Sequence, residues 1–187
     1  VDYEQIPTEG ITKLTDVDFS YAARLGASIK LFGTSICRDG RYYLEVAPVF
    51  INARNPLYSV SGVFNGILLN SNMLGESMYY GSGAGKLPTA SAVVGDMIAA
   101  VQLKDRPAAL GWTGERLEVL PWKYLARFEG SREEKKTLTE ELFGKVRWLE
   151  LAGMDEFAIL TGPMTGGEFD RAAGQLGGLR RAIRAQV

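Results

Sequence analysis

From Lys123 onward the chain presents its elements in an order that few folds accept. "KYLARF" is strand-like, and "REEKKTLTEELFG" is a helix with Leu138, Leu142 and Phe143 on one side. "KVRWLEL" and "EFAILTG" are strands, "GGEFDRAAGQLG" is a second helix, and "LRRAIRAQV" is a last strand. Strand, helix, strand, strand, helix, strand is the split βαβ or ferredoxin-like order, a small sheet with both helices on one face. Residues 122–187 are therefore expected to form a unit of this kind.

The residues before it read as a different arrangement. Thr15 and Asp18 form a T-x-x-D pattern, Val17, Ala22 and Leu25 follow at helical spacing, and Gly26 is placed to end the helix, which predicts one over 16–25. Ile29–Cys37 and Tyr42–Ile51 are strand-like, and the Asp-Gly in "RDGR" between them is a hairpin signal. Pro48 lacks an N–H, so its strand is expected at an edge or bulged there. "VFNGILLNS" and "GESMYY" read as two more strands. The run Ile67-Leu68-Leu69 is apolar on both faces, so helices or another subunit must cover both sides, and a homodimer through the sheet containing Tyr42–Ile51 and Val63–Ser71 is expected. A glycine-rich loop then leads into a helix from Pro88 to Gln102. Residues 103–121 carry two prolines and no sustained period, and read as a linker. The fold class is α+β: a mixed or antiparallel sheet with covering helices over 1–102, then the linker, then the βαββαβ unit over 122–187.

Composition removes several chemistries. None of the 187 residues is histidine, which excludes a His-dependent triad, the common zinc sites and the usual neutral-pH proton shuttle. Cys37 is the only cysteine, so no disulfide forms within the chain, as suits a reducing, cytoplasmic setting. The net charge of −1 offers no basic surface for nucleic acid, and no apolar run is long enough to span a membrane. The sequence opens on Val1 and reads as a fragment or a processed chain.

The loop at Gly81, Gly83 and Gly85 is the one candidate binding element. Glycine permits positive φ and close backbone approach, and the helix start behind it offers free N–H groups to an anion. Both a plain tight turn and an anion contact fit this pattern. "GSGAGK" is not a P-loop, because three residues rather than four separate Gly81 from Gly85 and Leu87 stands where Ser or Thr is needed. Nor is it a dinucleotide fingerprint, since Lys86 replaces the third glycine. Other candidates read structurally: Asp16 and Asp18 as helix caps, Glu133 to Lys136 as a solvated face, Cys37 as a small strand residue, and Trp112, Trp122 and Trp148 as packing. Lys30 lies in an apolar strand, where it snorkels or meets a carboxylate.

"EGITKLTDVDFSYAARLGASIKLFG" and "YYLEVAPVFINARNPLYSVSGVFNGILLNSNMLGESMYYGSGAGKLPTASAVVGDMI" resemble the catalytic and dimerisation domain of homoserine dehydrogenases, from about Val1 to Gln102. "YYGSGAGKLPTASAVVGD" is the most specific stretch, with Ser82 where that family usually has proline. The segment from Lys123 resembles the ACT-type regulatory domain often appended to them. The resemblance implies a parent enzyme that interconverts homoserine and aspartate semialdehyde with NAD(P) in threonine and methionine synthesis. It implies a Rossmann domain and a catalytic Asp and Lys on a helix, all preceding Val1, and a homodimer. Gly81, Gly83 and Gly85 then carry over as the contact to the nicotinamide cofactor, and no catalytic or metal-binding residue carries over. The chain alone is expected to be inactive and to hold no cofactor tightly. The turn Glu129–Leu138 lacks the Pro-Gly of ACT-type amino-acid sites, which weighs against an amino-acid effector. The alternative is a stand-alone regulatory amino-acid-binding or dimerisation module.

Overall fold

The Thr15–Asp18 pattern starts helix α1 (Asp16–Leu25) in the computed structural model of this chain, which describes Glu4, residues 6–102 and residues 120–187. The Thr15 backbone N–H and hydroxyl both donate to Asp18 Oδ2, at 2.8 and 3.0 Å. Gly26, at φ +61°, ends the helix, its N–H reaching the carbonyls of Ala22 and Ala23. Strands β1 (Ala27–Arg38) and β2 (Arg41–Asn52) follow as an unbroken antiparallel hairpin. Its two-residue turn, Asp39-Gly40, has positive φ at both positions, the primed geometry that matches strand twist.

The described residues group into two compact units, and these cut the chain differently from boundaries at 102 and 122. One unit takes in the residues up to Arg54 together with those from Leu120 onward. The other begins at Asn55 and includes strands β3 (Phe64–Ser71) and β4 (Gly75–Ser82) and helix α2 (Lys86–Gln102). Of the expected linker, only Leu120 and Pro121 fall among the described residues.

The first unit is built on one six-stranded mixed sheet. Its later elements are β5 (Lys123–Glu129), α3 (Arg132–Phe143), β6 (Arg147–Leu149), β7 (Glu156–Leu160), α4 (Gly166–Leu176) and β8 (Leu179–Gln186), in the order read from the sequence. Strand β5 lies between β8 and β7, and β7 pairs with β6, all antiparallel. The free edge of β8 is then taken by β2, which runs parallel to it through Val49–Arg184, Phe50–Ala185 and Ile51–Gln186. The sheet order is β1-β2-β8-β5-β7-β6. An open edge presents unpaired N–H and C=O groups, and here two edges from distant parts of the chain satisfy each other.

That junction corrects the reading of Pro48. Strand β2 is neither an edge nor bulged at this residue: Pro48 faces Leu31 in continuous register. The N–H of Val46 points away from β1, to the carbonyl of Pro7. With a period of two, the nitrogen of Pro48 points the same way, so no hydrogen bond to β1 is lost. It falls between the Pro7–Glu9 segment, which pairs with Val46, and β8, which pairs from Val49.

Alternation along β5 sends its side chains to two layers. Tyr124 and Phe128 form an aromatic layer with Phe143, Phe157 and Phe169, reaching helices α3 and α4. Leu125 packs on the other face with Tyr21, Ala22, Phe50, Ala158, Leu160, Ile183 and Ala185, beneath α1. Arg127 lies on that same buried face. It donates to Asp18 Oδ1 at 2.6 Å and to both carboxylate oxygens of Glu156 at 3.0 Å, with the Tyr21 ring 5.9 Å from its centre. Burial alone would lower the pKa of this guanidinium, but Glu156 and Asp18 more than offset that and raise it.

Removing one member of a buried ionic group leaves the others charged and unpaired, at about 3–5 kcal/mol. Arg127→Met should therefore destabilise the first unit by about that amount, because Asp18 and Glu156 would be left together in the core. Adding Asp18→Asn and Glu156→Gln should recover much of the loss. Urea denaturation of the single and triple variants measures both; a single variant as stable as the unaltered chain would contradict the clamp.

Candidate functional site

Gly81, Gly83 and Gly85 lie in the second unit, where β4 passes into α2. Gly81 stands opposite Asn65 of β3. The N–H of Gly83 donates to the carbonyl of Val63 at 3.0 Å, and Gly85, at φ +108°, accepts from the N–H of Thr89 at 3.1 Å. Only Gly85 has the backbone angle that disfavours other residues. Gly83 is glycine for a different reason. A Cβ there would fall 1.6 Å from Asn65 Nδ2 and 2.5 Å from its Cγ, so the Asn65 side chain occupies the space. At Gly81 a Cβ would meet nothing within 4 Å. The loop thus combines an open backbone at Gly81, a packed one at Gly83 and a positive-φ turn at Gly85. Asn65 was not singled out by the sequence, since an asparagine in a strand carries no local sign of such a contact.

Among the described residues, the rest of this unit has little to cover it. Gly66 permits the close approach of Leu57, from the 3-10 turn Pro56–Ser59, of Val60, which caps that turn, and of Met78. Phe64 and Tyr80 stack on that face with ring centres 4.9 Å apart. The opposite face carries Ile67, Leu69 and Tyr79, which are 66%, 50% and 63% exposed. Tyr42–Ile51 and Val63–Ser71, expected in one sheet, lie in two: β2 belongs to the six-stranded sheet, where Ala47, Val49, Phe50 and Ile51 are buried, and β3 pairs only with β4. Among the described residues nothing buries Ile67 and Leu69.

Besides the ionic group around Arg127, the first unit holds a second charged cluster. Arg184 pairs with Glu45 and reaches Glu9 Oε2 at 3.7 Å, and Arg181 pairs with Glu9 Oε1 at 2.7 Å. Glu45 also accepts from the Tyr43 hydroxyl at 2.6 Å. Burial, then that carboxylate, pushes the Tyr43 phenol up to about 12. In charge the groups are matched, two carboxylates to two guanidiniums, although Arg181 Nε and Arg184 Nε are buried with no hydrogen-bond partner among the described residues.

The other singled-out residues lie apart from the loop. Asp18 is a cap, as read, and also the partner of Arg127. Lys135, read as part of a solvated face, donates to the carbonyl of Gly177 at 2.9 Å and closes the end of α4. Trp122 is buried beside Met164, Trp148 packs on Phe157 and under Arg132, and Cys37 is exposed near the end of β1. Lys30 is half-buried opposite Val49, and Trp112 lies outside the described residues. No helix among the described residues is long and apolar enough to cross a membrane.

A sequence profile of the homoserine dehydrogenase family matches residues 1–98, more than half of the chain and all of the loop. The chain belongs to the homoserine dehydrogenase family. It is 45% identical over 101 residues to the homoserine dehydrogenase of Neisseria gonorrhoeae, covering 54% of this chain and 23% of that protein. It is 39% identical over 123 residues to that of Mycobacterium tuberculosis strain H37Rv, covering 62% and 26%. A homoserine dehydrogenase from Thiobacillus denitrificans superimposes with a TM-score of 0.78 at 25% identity, covering 99% of this chain and 48% of that one. The chain thus matches about a quarter of the length of these relatives by sequence, and about half of the solved structure by fold.

The packing of Gly83 yields a prediction. Gly83→Ala should push the exposed Asn65 side chain out of this space at a cost of about 0.5–1.5 kcal/mol, the size of a forced rotamer change. Asn65→Ala in the same chain should relieve it. Urea denaturation followed by circular dichroism reads both, and a Gly83→Ala chain of unchanged stability would show that Asn65 does not hold that space.

Proposed function

We propose that this chain is the substrate- and dimer-forming part of an NAD(P)-dependent homoserine dehydrogenase, with an ACT-type, ferredoxin-like unit completed by its C-terminal elements. The match over residues 1–98 carries this reading, because it includes the loop Gly81–Gly85 and the helix behind it. In the parent enzyme homoserine and aspartate semialdehyde are interconverted in threonine and methionine synthesis, a cytoplasmic process. A bound nicotinamide supplies the hydride chemistry. The loop fits the role of a cofactor contact, since Gly81 leaves open space over the backbone and Gly85 turns the chain into α2. Asn65, by filling the space at Gly83, fixes the loop's position rather than touching the cofactor.

This chain supplies neither a dinucleotide fingerprint nor the proton-transferring lysine that the family resemblance places before Val1. Positioning cannot act on a cofactor that is not held. The chain alone is therefore expected to show no oxidation of homoserine and weak NAD(P) binding at most. Supplying the upstream half of the enzyme should restore turnover, followed by the absorbance of the reduced nicotinamide. Turnover by this chain alone, or none with the upstream half present, would refute the assignment.

The parent is further proposed to be a homodimer through the β3–β4 hairpin. The open face with Ile67, Leu69 and Tyr79 supports this, as each large side chain buried there would contribute roughly 1.5–3 kcal/mol. Leu69→Asp should yield monomers or aggregates where the unaltered protein scatters light as a dimer; a monomer at tens of micromolar (about the usual working concentration) would count against it. In the C-terminal unit, Gly130 at φ +96° forms the turn after β5, and Ser131 caps α3 with Glu133 and Glu134 in its first turn. Those carboxylates suit the helix start and disfavour an amino-acid carboxylate docking there. The unit is accordingly read as structural rather than as a threonine site.

A further inference from the structure

One face of the β3–β4 hairpin carries both the open apolar surface and the group that packs on the glycine loop. Side chains alternate along a strand, so Asn65, Ile67 and Leu69 of β3 point the same way. Their cross-strand partners Gly81, Tyr79 and Ser77 of β4 share that face. Asn65 is exposed, and among the described residues its carboxamide makes no hydrogen bond. It rests by contact alone in the space that a Cβ on Gly83 would need, where the three nearest atoms are all its own. An exposed side chain so held changes rotamer within nanoseconds, and each time it does the Gly83 backbone loses the group packed on it. Ile67 is the next residue on this face, about 7 Å along the strand. Tyr79 lies diagonal to Asn65, at a separation of about 7–8 Å that an aromatic ring spans.

We infer that a second copy of this chain, seated on Ile67, Leu69 and Tyr79, pins Asn65 against Gly83, so that the loop Gly81–Gly85 is held in one shape only in the dimer. Asn65 is then a positioning residue between the subunit interface and the loop. The inference rests on the readings above that the hairpin forms the dimer and that the loop contacts the cofactor. The face suits a second copy in particular. Asn65, Ile67, Leu69, Ser77 and Tyr79 carry no charge, whereas close to a two-fold axis a charged group would meet its own copy. Packing on the outer side of Asn65 removes its other staggered rotamers, and the Gly83 backbone is confined with it.

Two loop amides report on this: Gly83, whose N–H reaches the Val63 carbonyl, and Thr89, whose N–H reaches that of Gly85. Leu69→Ala weakens the dimer without adding a charge, so that dilution followed by light scattering reaches the monomer. In that chain, hydrogen exchange at Gly83 and Thr89 should quicken about tenfold on dilution. With Asn65→Ala added the dimer should persist, and the loop amides should exchange fast at every concentration while the β3 and β4 amides still respond to dilution. In the full-length enzyme the same dilution should raise the KM for the nicotinamide cofactor about tenfold with kcat almost unchanged, and Asn65→Ala should show the high KM throughout. Loop exchange indifferent to dilution, an equal response with and without Asn65, or a KM that stays constant would each overturn the inference. Loss of the dimer in Asn65→Ala would place this residue in the interface alone and overturn it too. A chain that is monomeric at every concentration would refute the dimer reading and the inference with it. A full-length enzyme without dehydrogenase activity would instead refute the cofactor reading, and the exchange measurement would still decide whether the second copy holds the loop.

Discussion

Arg127 sits where two layers of the first unit meet, and the placement of α1 depends on it. Its guanidinium lies on the sheet face that is otherwise Leu125, Ile183, Ala158 and Phe50, a setting in which an unpaired charge would not persist. Glu156, from the neighbouring strand β7, takes two of its donors in a planar fork. Asp18, from α1, takes another, and the second Asp18 oxygen closes the helix start through Thr15. One carboxylate thus begins a helix and fastens it to a strand more than a hundred residues away. Apolar packing alone would let α1 slide on the sheet. The fork fixes its register, because moving it by a turn would strand three buried charges.

The pairing of β2 with β8 has a comparable effect at the scale of the sheet. A βαββαβ unit has two edges. Here one, β6, is only three residues long, which limits its use as a template for another strand. The other, β8, is taken by β2 of the same chain. The hairpin β1–β2 and the later four strands are therefore one continuous sheet, although their sequences are separated by the whole of the second unit.

Much of the secondary structure was readable because its signals are local. Thr15, Asp18 and Gly26 mark both ends of α1, and Asp39-Gly40 marks the hairpin; of the residues expected on one side of α3, Phe143 is buried, whereas Leu138 is exposed and Thr139 is buried in its stead. The βαββαβ order follows from such signals alone. What escaped depends on distant partners. Nothing near Val49 announces Arg184, nothing near Asp18 announces Arg127, and an arginine in "KYLARF" looks like any alternating polar residue until the opposite face proves to be buried too. Pro48 misled for the same reason: a proline rule about edges presumes that all its neighbours are known. In the loop, three glycines looked equivalent in the sequence. Structurally one is open, one is crowded by Asn65 and one carries a positive φ, and the crowding comes from a residue eighteen positions earlier.

The closing of the sheet by β8 also has a consequence in time. Residues Val49–Ile51 need Arg184–Gln186 beside them, and about 130 residues of synthesis separate the two. At roughly 5–20 residues per second a ribosome takes about 7–27 s to cover that interval. Throughout it the apolar edge Val-Phe-Ile of β2 is made but unpaired, next to a finished hairpin partner. Such an edge attracts other nascent strands, and Pro48 immediately before it breaks the continuous row of donors that they would need. The same proline that fits without loss in the finished sheet thus shortens the sticky stretch while the chain is still growing.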